Sequence, residues 1–507
     1  MTKNYLDILA ETIRNNWDAP ALTDFYLTED GSAQDTSRGN HYTYGEMYAE
    51  IVRVADLLTR LGLQKGDHIA ICGANSSHWV IAYLAIAKMQ GVSVTVMHSL
   101  QPDQVAQMVD FSDAKALFAD KELWMELKEQ SFPQIQSAIA LEDWDVLQGK
   151  KIKISNLKSQ ISNQDCQFPI VEPDYLAMIC FTSGSTGGAK GVMLPYRSLH
   201  NNVHQAFLLY PQENNASFLS VLPFFHMAGL IGDMLSQLAF GKNIHILRAL
   251  QSLENIDNAL KIIMPYMFVS VPAIFGAKNT DILTSLLPRC KLIFMGGAKL
   301  DKCTEQRIMD STIPLSLIYG QTETGASISI SPYKQHRISS SGKIVEGMTC
   351  RIASNGEILV KGENVMLGYY KDPEATAQKI DKDGWLHTGD KGHLDEDGYL
   401  YVEGRLEQDM IVLPNGENIR PDNIEALINA LHEVSESIVF ARDGKLVAIV
   451  VAYPQPLPAR RGDDLRRTIL RAVNPQLPLF SQLYDVEITD VPLKRTEKQT
   501  IKRYLYR

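Results

Sequence analysis

The sequence predicts an α/β protein: a large N-terminal domain of α/β subdomains plus a β-rich subdomain, then a small mobile α+β C-terminal domain. Three observations predict it. Over about the first four hundred residues, helical periodicity alternates with short apolar runs, the pattern of strands buried on both faces. Turn signals then crowd together at Asn355-Gly356, Lys361-Gly362 and Leu367-Gly368, as between short strands of a β-rich region. Beyond Gly404-Arg405, roughly a hundred residues carry helices and strands of their own. The expected boundaries are therefore 1–404 and 405–507.

Each element follows from local pattern. The opening MTKNYLDILAETIRNNW has no apolar signal core; Tyr5, Ile8, Leu9 and Ile13 share one helical face instead. HIAICGAN (His68–Asn75) reads as a strand. The longest apolar run, Trp79–Ala87, is stopped by Lys88 and is too short to span a bilayer, so no transmembrane segment is expected. LAMICF (Leu176–Phe181) reads as a buried strand, as does FLSVLPFFH (Phe218–His226). MFVSVP (Met267–Pro272), LIFMGGA (Leu292–Ala298) and LSLIYGQTE (Leu315–Glu323) begin apolar and end in glycine or polar residues. That layout puts the polar residues at the carboxyl ends of buried strands, where α/β proteins bind ligands. The C-terminal region adds a hairpin at Pro414-Asn415-Gly416, a helix Pro421–Leu431, a strand Lys445–Tyr453, a loop PQPLPARRG, another helix and a basic tail.

With 45% hydrophobic and 21% charged residues, the chain can build a sizeable soluble core. Its net charge of −10 argues against nonspecific nucleic-acid binding and against a basic membrane patch. The six cysteines are scattered without a CxxC pair, which suits reduced thiols and a cytoplasmic location.

Chemistry concentrates first in FTSGSTGGAKGV, Phe181–Val192. Thr182, Ser183, Ser185 and Thr186 alternate with Gly184 and Gly187, and Lys190 is its single cation. Glycines let several backbone N–H groups converge, hydroxyls add donors, and the whole suits a polyphosphate. It is not a P-loop, because Lys190 is followed by Gly191 and Val192 rather than by Ser or Thr. A second cluster is Tyr319-Gly320-Gln321-Thr322-Glu323 at a strand end, with a ring to stack on a purine, a hydroxyl for phosphate and a carboxylate for Mg²⁺. In a third, WLHTGD, Asp390 follows a tight turn and suits two ribose hydroxyls; Arg405 at the domain boundary suits ribose or phosphate. Taken singly, each of these also reads as a packed aromatic, a solvated charge or a plain turn.

Their order decides. FTSGSTGGAKG, LPFFHMAG, YGQTETG, GEILVKGENVMLGYY, WLHTGD and EGRLEQDMIVLPNGENIRPDNIE together resemble the adenylate-forming superfamily of acyl-CoA synthetases, adenylation domains and luciferases, most closely an acyl- or aryl-CoA ligase. The resemblance runs through nearly the whole chain. It implies an AMP-binding and acyl-binding N-terminal domain, a C-terminal lid with its hinge near 405–409, and ATP, Mg²⁺ and coenzyme A as participants. A carboxylate would attack the α-phosphate of ATP, and a thiol of CoA, or of a carrier protein's phosphopantetheine arm, would then displace AMP. By match, Thr182, Ser183, Gly184, Ser185, Thr186, Gly187 and Lys190 would grip the phosphates. Gly297 and Ala298, with Gly296, would line the adenine and acyl pocket; Tyr319, Gly320 and Gln321 would hold adenine; Thr322 would touch the α-phosphate. Glu323 would bind Mg²⁺, and Asp390 with Arg405 would hold the ribose. His226 falls where the family keeps an aromatic residue between the acyl and thiol channels, so it is expected to gate or position rather than act as a base.

Two departures matter. The family's C-terminal Pro-x-Thr-x-x-Gly-Lys-x-x-Arg is here PLKRTEKQTIKR, so Gln499 replaces the glycine and Thr500 the lysine. A neutral hydroxyl cannot bridge carboxylate and α-phosphate as a cation does, which leaves Lys498 or Lys502 to substitute, with Lys498 taken as catalytic. Without a substitute, the chain would be a relative that binds acyl-adenylate or acyl-CoA without efficient adenylation. The hinge sequence Gly404-Arg405-Leu406-Glu407-Gln408-Asp409 is one residue longer than usual, making Glu407 or Gln408 the expected pivot.

Overall fold

Five short apolar runs lie side by side at the centre of an eight-stranded sheet. Leu176–Thr182, Val92–Thr95, His68–Cys72, Ala116–Ala119 and Ser137–Ala140 run parallel in that order. Lys190–Pro195 turns back antiparallel on Leu176–Thr182, Gly368–Tyr369 completes that edge, and Val146–Gln148 closes the other. Helices cover both faces, so strand residues such as Ile69, Val94 and Ile179 are fully buried. This is why these strands are buried on both faces, Ser93 and Thr95 of Val92–Thr95 included, rather than alternating between buried and exposed. Helix Ser77–Lys88 holds the Trp79–Ala87 stretch and is buried from Ser77 to Ala87, with the Ser76 hydroxyl accepting the Trp79 N–H at 3.0 Å as its cap.

The computed structural model describes the chain except residues 1–3, 30, 36–37, 131, 158–160, 183–189, 210–212, 214–215, 249–251, 276–279, 298–299, 301, 407–410, 414–416, 420, 453–460, 495–504 and 507, and except the side chains at 156, 207, 209, 273, 280, 281, 303, 405, 418, 422, 426 and 461. It divides into two compact units. The first comprises Met1–Thr182, Lys190–Thr388 and Gly392–Glu403; the second comprises Ser183–Ala189, Gly389–Lys391 and Gly404–Arg507.

A second, nine-stranded sheet begins with the three strands that the sequence groups together. Met267–Ser270, Leu292–Met295 and Leu315–Tyr319 are parallel neighbours, in register Val269↔Phe294 and Met295↔Leu317. Antiparallel strands then extend it into the β-rich region, through Ser329–Ile330, Gly342–Ile344, Tyr399–Arg405, Leu386–Leu394, Glu357–Gly362 and Met348–Ile352. A four-stranded sheet joins Ser217–Ser220, Asn243–Leu247, Pro20–Phe25 and His41–Thr43. The expected N-terminal helix spans Tyr5–Asn15, capped by a reciprocal Asn4–Asp7 box, and buries Tyr5, Leu9 and Ile13. Five expected strands are shorter than read: His68–Asn75 stops at Cys72, Phe218–His226 at Ser220, Met267–Pro272 at Ser270, Leu292–Ala298 at Met295 and Leu315–Glu323 at Tyr319.

The second unit has its own core. Val434–Arg442 pairs antiparallel with Lys445–Ala452, which pairs parallel with Asp485–Thr489. Asp443 and Gly444 both take positive φ (50° and 75°), the backbone that a tight two-residue hairpin requires. Helices Pro421–Asn429 and Arg461–Val473 supply Ile424, Ile428, Leu465 and Ile469 to the interior. Ile411–Val412 and Asn418–Ile419 pair antiparallel around the expected turn, whose residues 414–416 lie outside the described ones. The thiols of Cys72, Cys166, Cys180, Cys290 and Cys350 are free. Among the described residues, no helix is long and apolar enough to cross a membrane.

Candidate active site

The glycine-rich stretch begins on one strand and ends on its antiparallel neighbour. Its first and last described residues, Thr182 and Lys190, are direct partners in the antiparallel ladder. Ser183, Gly184, Ser185, Thr186 and Gly187 lie outside the described residues, but their two ends are fixed to the edge of a buried sheet. Gly191 is needed beside Lys190, since a Cβ there would meet Ile179 Cγ2 at 3.0 Å and Tyr370 Cβ at 3.3 Å.

The Tyr319–Glu323 cluster turns sharply off the end of its strand. A Cβ on Gly320 would overlap the Ala326 carbonyl oxygen, so only glycine allows the turn to close. Thr322–Thr324 forms one 3₁₀ turn, with the Gln321 N–H donating to Thr324 Oγ1 at 3.1 Å. Gly325 then takes φ 61°, close against Ser198 Oγ and Asn202 Nδ2. Both of those residues belong to helix Tyr196–Leu209, which directly follows the Lys190–Pro195 strand. Asn202 Nδ2 donates to the Thr324 carbonyl at 3.3 Å, and its Oδ1 accepts the Ser327 N–H at 3.0 Å and hydroxyl at 2.6 Å. Asn364 ties the same region from the β-rich side, donating to the Ser327 carbonyl at 2.7 Å while its carbonyl oxygen accepts from Ser198 Oγ at 2.9 Å. The turn after Glu323 and the loop at Asn364 are thus bolted to one helix, the helix that follows the Lys190–Pro195 strand, by buried amides and hydroxyls.

Three chemically active groups meet at one ring. Tyr369 Oη donates to Glu323 Oε1 at 2.7 Å, and Lys190 Nζ lies 4.9 Å from the centroid of the same ring. Tyr369 reaches this place because Gly368–Tyr369 pairs with Lys190–Pro195, setting Tyr369 opposite Val192. Its phenol is pushed up well beyond its ordinary range by burial and by the Glu323 carboxylate. It therefore stays a donor, holding one carboxylate oxygen of Glu323 in a set orientation. Among the described residues no three His, Cys, Asp or Glu side chains gather into a metal cage. Mg²⁺ commonly takes one or two carboxylates with phosphate oxygens for the rest, so the single oriented carboxylate of Glu323, at the same ring as Lys190, fits it.

The other expected residues fall as follows. Gly296 ends its strand against Ile318 (3.2 Å to Cβ if a side chain were added), so register sets Gly296 and Gly297 beside the Tyr319 turn. Gly297 has φ 83°; Ala298 lies outside the described residues. Gln321 Nε2 donates to the Thr388 carbonyl at 2.8 Å, and Lys379 Nζ approaches the same oxygen at 3.2 Å. Asp390 is buried on the strand Leu386–Leu394. Arg405 closes the strand Tyr399–Arg405; its side chain is not among those described, nor are Lys498, Thr500 and Lys502. His226 sits on a separate turn, its ring 4.4 Å from that of Phe225. Tyr369, Asn202, Asn364 and Lys379 are additions that residue-by-residue reading passes over. The signal for Asn202 was a polar stripe, Ser198, Asn201, Asn202 and Gln205, on a helix where every one of these is buried.

Two paired strands flanking a hydroxyl- and glycine-rich sequence, with an oriented carboxylate and a cation on one ring, are the marks of a nucleotide-dependent enzyme. The chain belongs to the AMP-binding enzymes: that family's profile matches residues 9–370, and the profile of the AMP-binding enzyme C-terminal domain matches residues 408–506. It is an enzyme of the AMP-forming CoA ligase family. Similar proteins include the 2-succinylbenzoate–CoA ligase of Oceanobacillus iheyensis, 29% identical over 426 residues, covering 81% of this chain and 83% of that one. 4-Coumarate–CoA ligase 3 of Arabidopsis thaliana is 26% identical over 481 residues, covering 89% and 83%. Among solved structures, a double mutant of o-succinylbenzoate CoA synthetase from Bacillus subtilis shares the fold with a TM-score of 0.76 at 22% identity, over 99% of this chain and 98% of that one. ATP-bound MatB from Rhodopseudomonas palustris does so with a TM-score of 0.66 at 22% identity, over 100% and 98%.

Proposed function

We propose that the protein joins a fatty or aromatic carboxylic acid to the thiol of coenzyme A through an acyl-adenylate. In the first step a carboxylate oxygen bonds to the α-phosphorus of ATP and pyrophosphate leaves. In the second a thiolate sulfur bonds to the acyl carbon and AMP leaves with the bridging oxygen. Both partners of the first step are anions, so catalysis is mainly positioning and charge neutralisation. Thr182, Ser183, Ser185, Thr186 and Lys190 hold the β- and γ-phosphates, and Thr322 bonds the α-phosphate. Tyr319, with Gly320, Gln321, Gly297 and Ala298, forms the adenine site, and Asp390 with Arg405 holds the ribose. Glu323 would hold Mg²⁺, which would supply positive charge to offset that of the phosphates.

The observation that carries this reading is the Lys190–Tyr369–Glu323 group, a phosphate-seeking cation and a metal-seeking carboxylate fixed to one ring. Similarity to a 2-succinylbenzoate–CoA ligase and a 4-coumarate–CoA ligase supports an aromatic acid. Residues 405–507 act as a lid turning near 405–409, and Lys498 bridges carboxylate and α-phosphate in place of the expected lysine at 500. The thiolation assay tests the acceptor. Offered CoA and a phosphopantetheine-bearing carrier protein separately, the enzyme should form thioester with CoA. Thioester on the carrier alone would make it a stand-alone adenylation enzyme. Failure to form acyl-adenylate from any acid would leave a binding protein that does not activate acids.

A further inference from the structure

The turn that carries His226 is held far more tightly than a surface loop. It leaves the strand Ser217–Ser220 at Val221 and ends where a wide π-helical turn, Ala228–Leu235, begins. From that helix Asp233 reaches back beneath the turn. Its Oδ2 accepts the Val221 and Leu222 N–H groups, each at 2.9 Å, and the Ser220 hydroxyl at 3.2 Å. From the loop after strand His68–Cys72, Asn75 grips the next peptides from both sides. Its Nδ2 donates to the Leu222 carbonyl at 2.7 Å, and its Oδ1 accepts the Phe224 N–H at 2.9 Å. Thr95 Oγ1 and Cys180 Sγ, on the two neighbouring parallel strands, donate to the Phe225 carbonyl at 3.3 and 3.4 Å. A Cβ on Gly229 would overlap the Pro223 carbonyl oxygen, so the helix packs directly on the turn.

Asp233 is costly where it stands. It is fully buried, its Oδ1 has no hydrogen-bond partner, and burial pushes its carboxyl up to about 8. Its hydrogen bonds all go to the stretch Ser220–Leu222 that leads into the His226 turn. We propose that Asp233 and Asn75 are positioning residues that clamp the Val221–His226 turn and so set His226 for the thiol-transfer step. This rests on the reading of His226 as the residue between the acyl and thiol channels. Neither side chain need touch the substrates; each acts through the peptide groups that it holds.

Two readouts on the full chain test it. The first needs no substrate: amide hydrogen exchange of the segment 221–226, followed by mass spectrometry. Asp233→Ala and Asn75→Ala should each speed exchange there at least tenfold with the rest of the first unit unchanged, and Asp233→Asn, whose amide oxygen still accepts, should not. The second uses 4-coumaroyl-adenylate, prepared chemically, and CoA. Asp233→Ala should slow transfer ten- to a hundredfold while changing ATP–pyrophosphate exchange less than threefold, and Asp233→Asn should restore transfer to within threefold. Combined with His226→Ala, Asp233→Ala should add no further loss. Unchanged protection of 221–226 in Asp233→Ala overturns the clamp, as does an equal loss in both half-reactions or an additive double variant. If the parent protein neither exchanges pyrophosphate nor transfers the acyl group, the functional reading falls. The clamp is then judged on hydrogen exchange alone.

Discussion

Tyr369 decides how the Lys190 cation and the Glu323 carboxylate are related. Removing its hydroxyl leaves the ring under Lys190 and deletes one charge-assisted bond to Glu323. Such a bond to a charged group is worth about 1.5–3 kcal/mol. Tyr369→Phe should therefore lower ATP–pyrophosphate exchange about ten- to a hundredfold and raise the Mg²⁺ concentration needed for half-maximal rate, which a metal titration of the exchange reaction measures. Lys498 is the second residue on which the account leans. Losing a cation between two anions in the transition state costs about 3 kcal/mol, near a hundredfold. Lys498→Ala should lower exchange by that much, Lys502→Ala should leave it within about threefold, and parallel exchange assays of the two variants separate them.

Among elements, those whose sequence pattern and geometry agree were legible and those ended by tertiary contacts were not. The N-terminal helix, the buried Leu176–Thr182 strand and the three strands ending in polar residues follow from periodicity alone, because their burial is symmetric or single-faced. The strand read as Phe218–His226 stops at Ser220 since Asp233 takes the Val221 and Leu222 N–H groups that a ladder would have used. No local pattern could disclose that. The Asp443-Gly444 hairpin, by contrast, went unread although Asp-Gly ahead of an apolar run is a local turn signal. Asp233 also gives a stability prediction. Unfolded, its carboxyl ionises near its ordinary 3.8; folded, only near 8. Between those values the native state holds a proton that the unfolded chain releases. The group's effect is thus absent at low pH, and stability falls as pH rises from about 4 to about 8, by up to about 1.4 kcal/mol per pH unit. Asp233→Asn should flatten that slope, so its urea midpoint relative to the parent should rise steadily from pH 5 to pH 8.

Across the whole molecule, the candidate site joins residues far apart in sequence. The order of motifs named the family, but it could not tell that Gly368–Tyr369 would complete the sheet edge beside Lys190 and so bring position 369 to position 323. Nor could it single out Asn202 and Asn364, whose value lies only in the peptides they bond across the first unit. The chain's division into two compact units agrees with a family C-terminal domain beginning at residue 408. If that domain turns about Glu407 or Gln408 between half-reactions, fixing the backbone there should separate them. Gln408→Pro should slow one half-reaction at least tenfold more than the other, as pyrophosphate exchange and single-turnover thiol transfer, measured separately, will reveal. The fate of one oxygen atom decides whether the acid attacks the α-phosphorus. With an acid labelled with ¹⁸O in its carboxylate, mass spectrometry of the products should find one labelled oxygen in AMP and none in pyrophosphate. Label in inorganic phosphate or pyrophosphate, or thioester formed with no label in AMP, would contradict attack of the acid on the α-phosphorus.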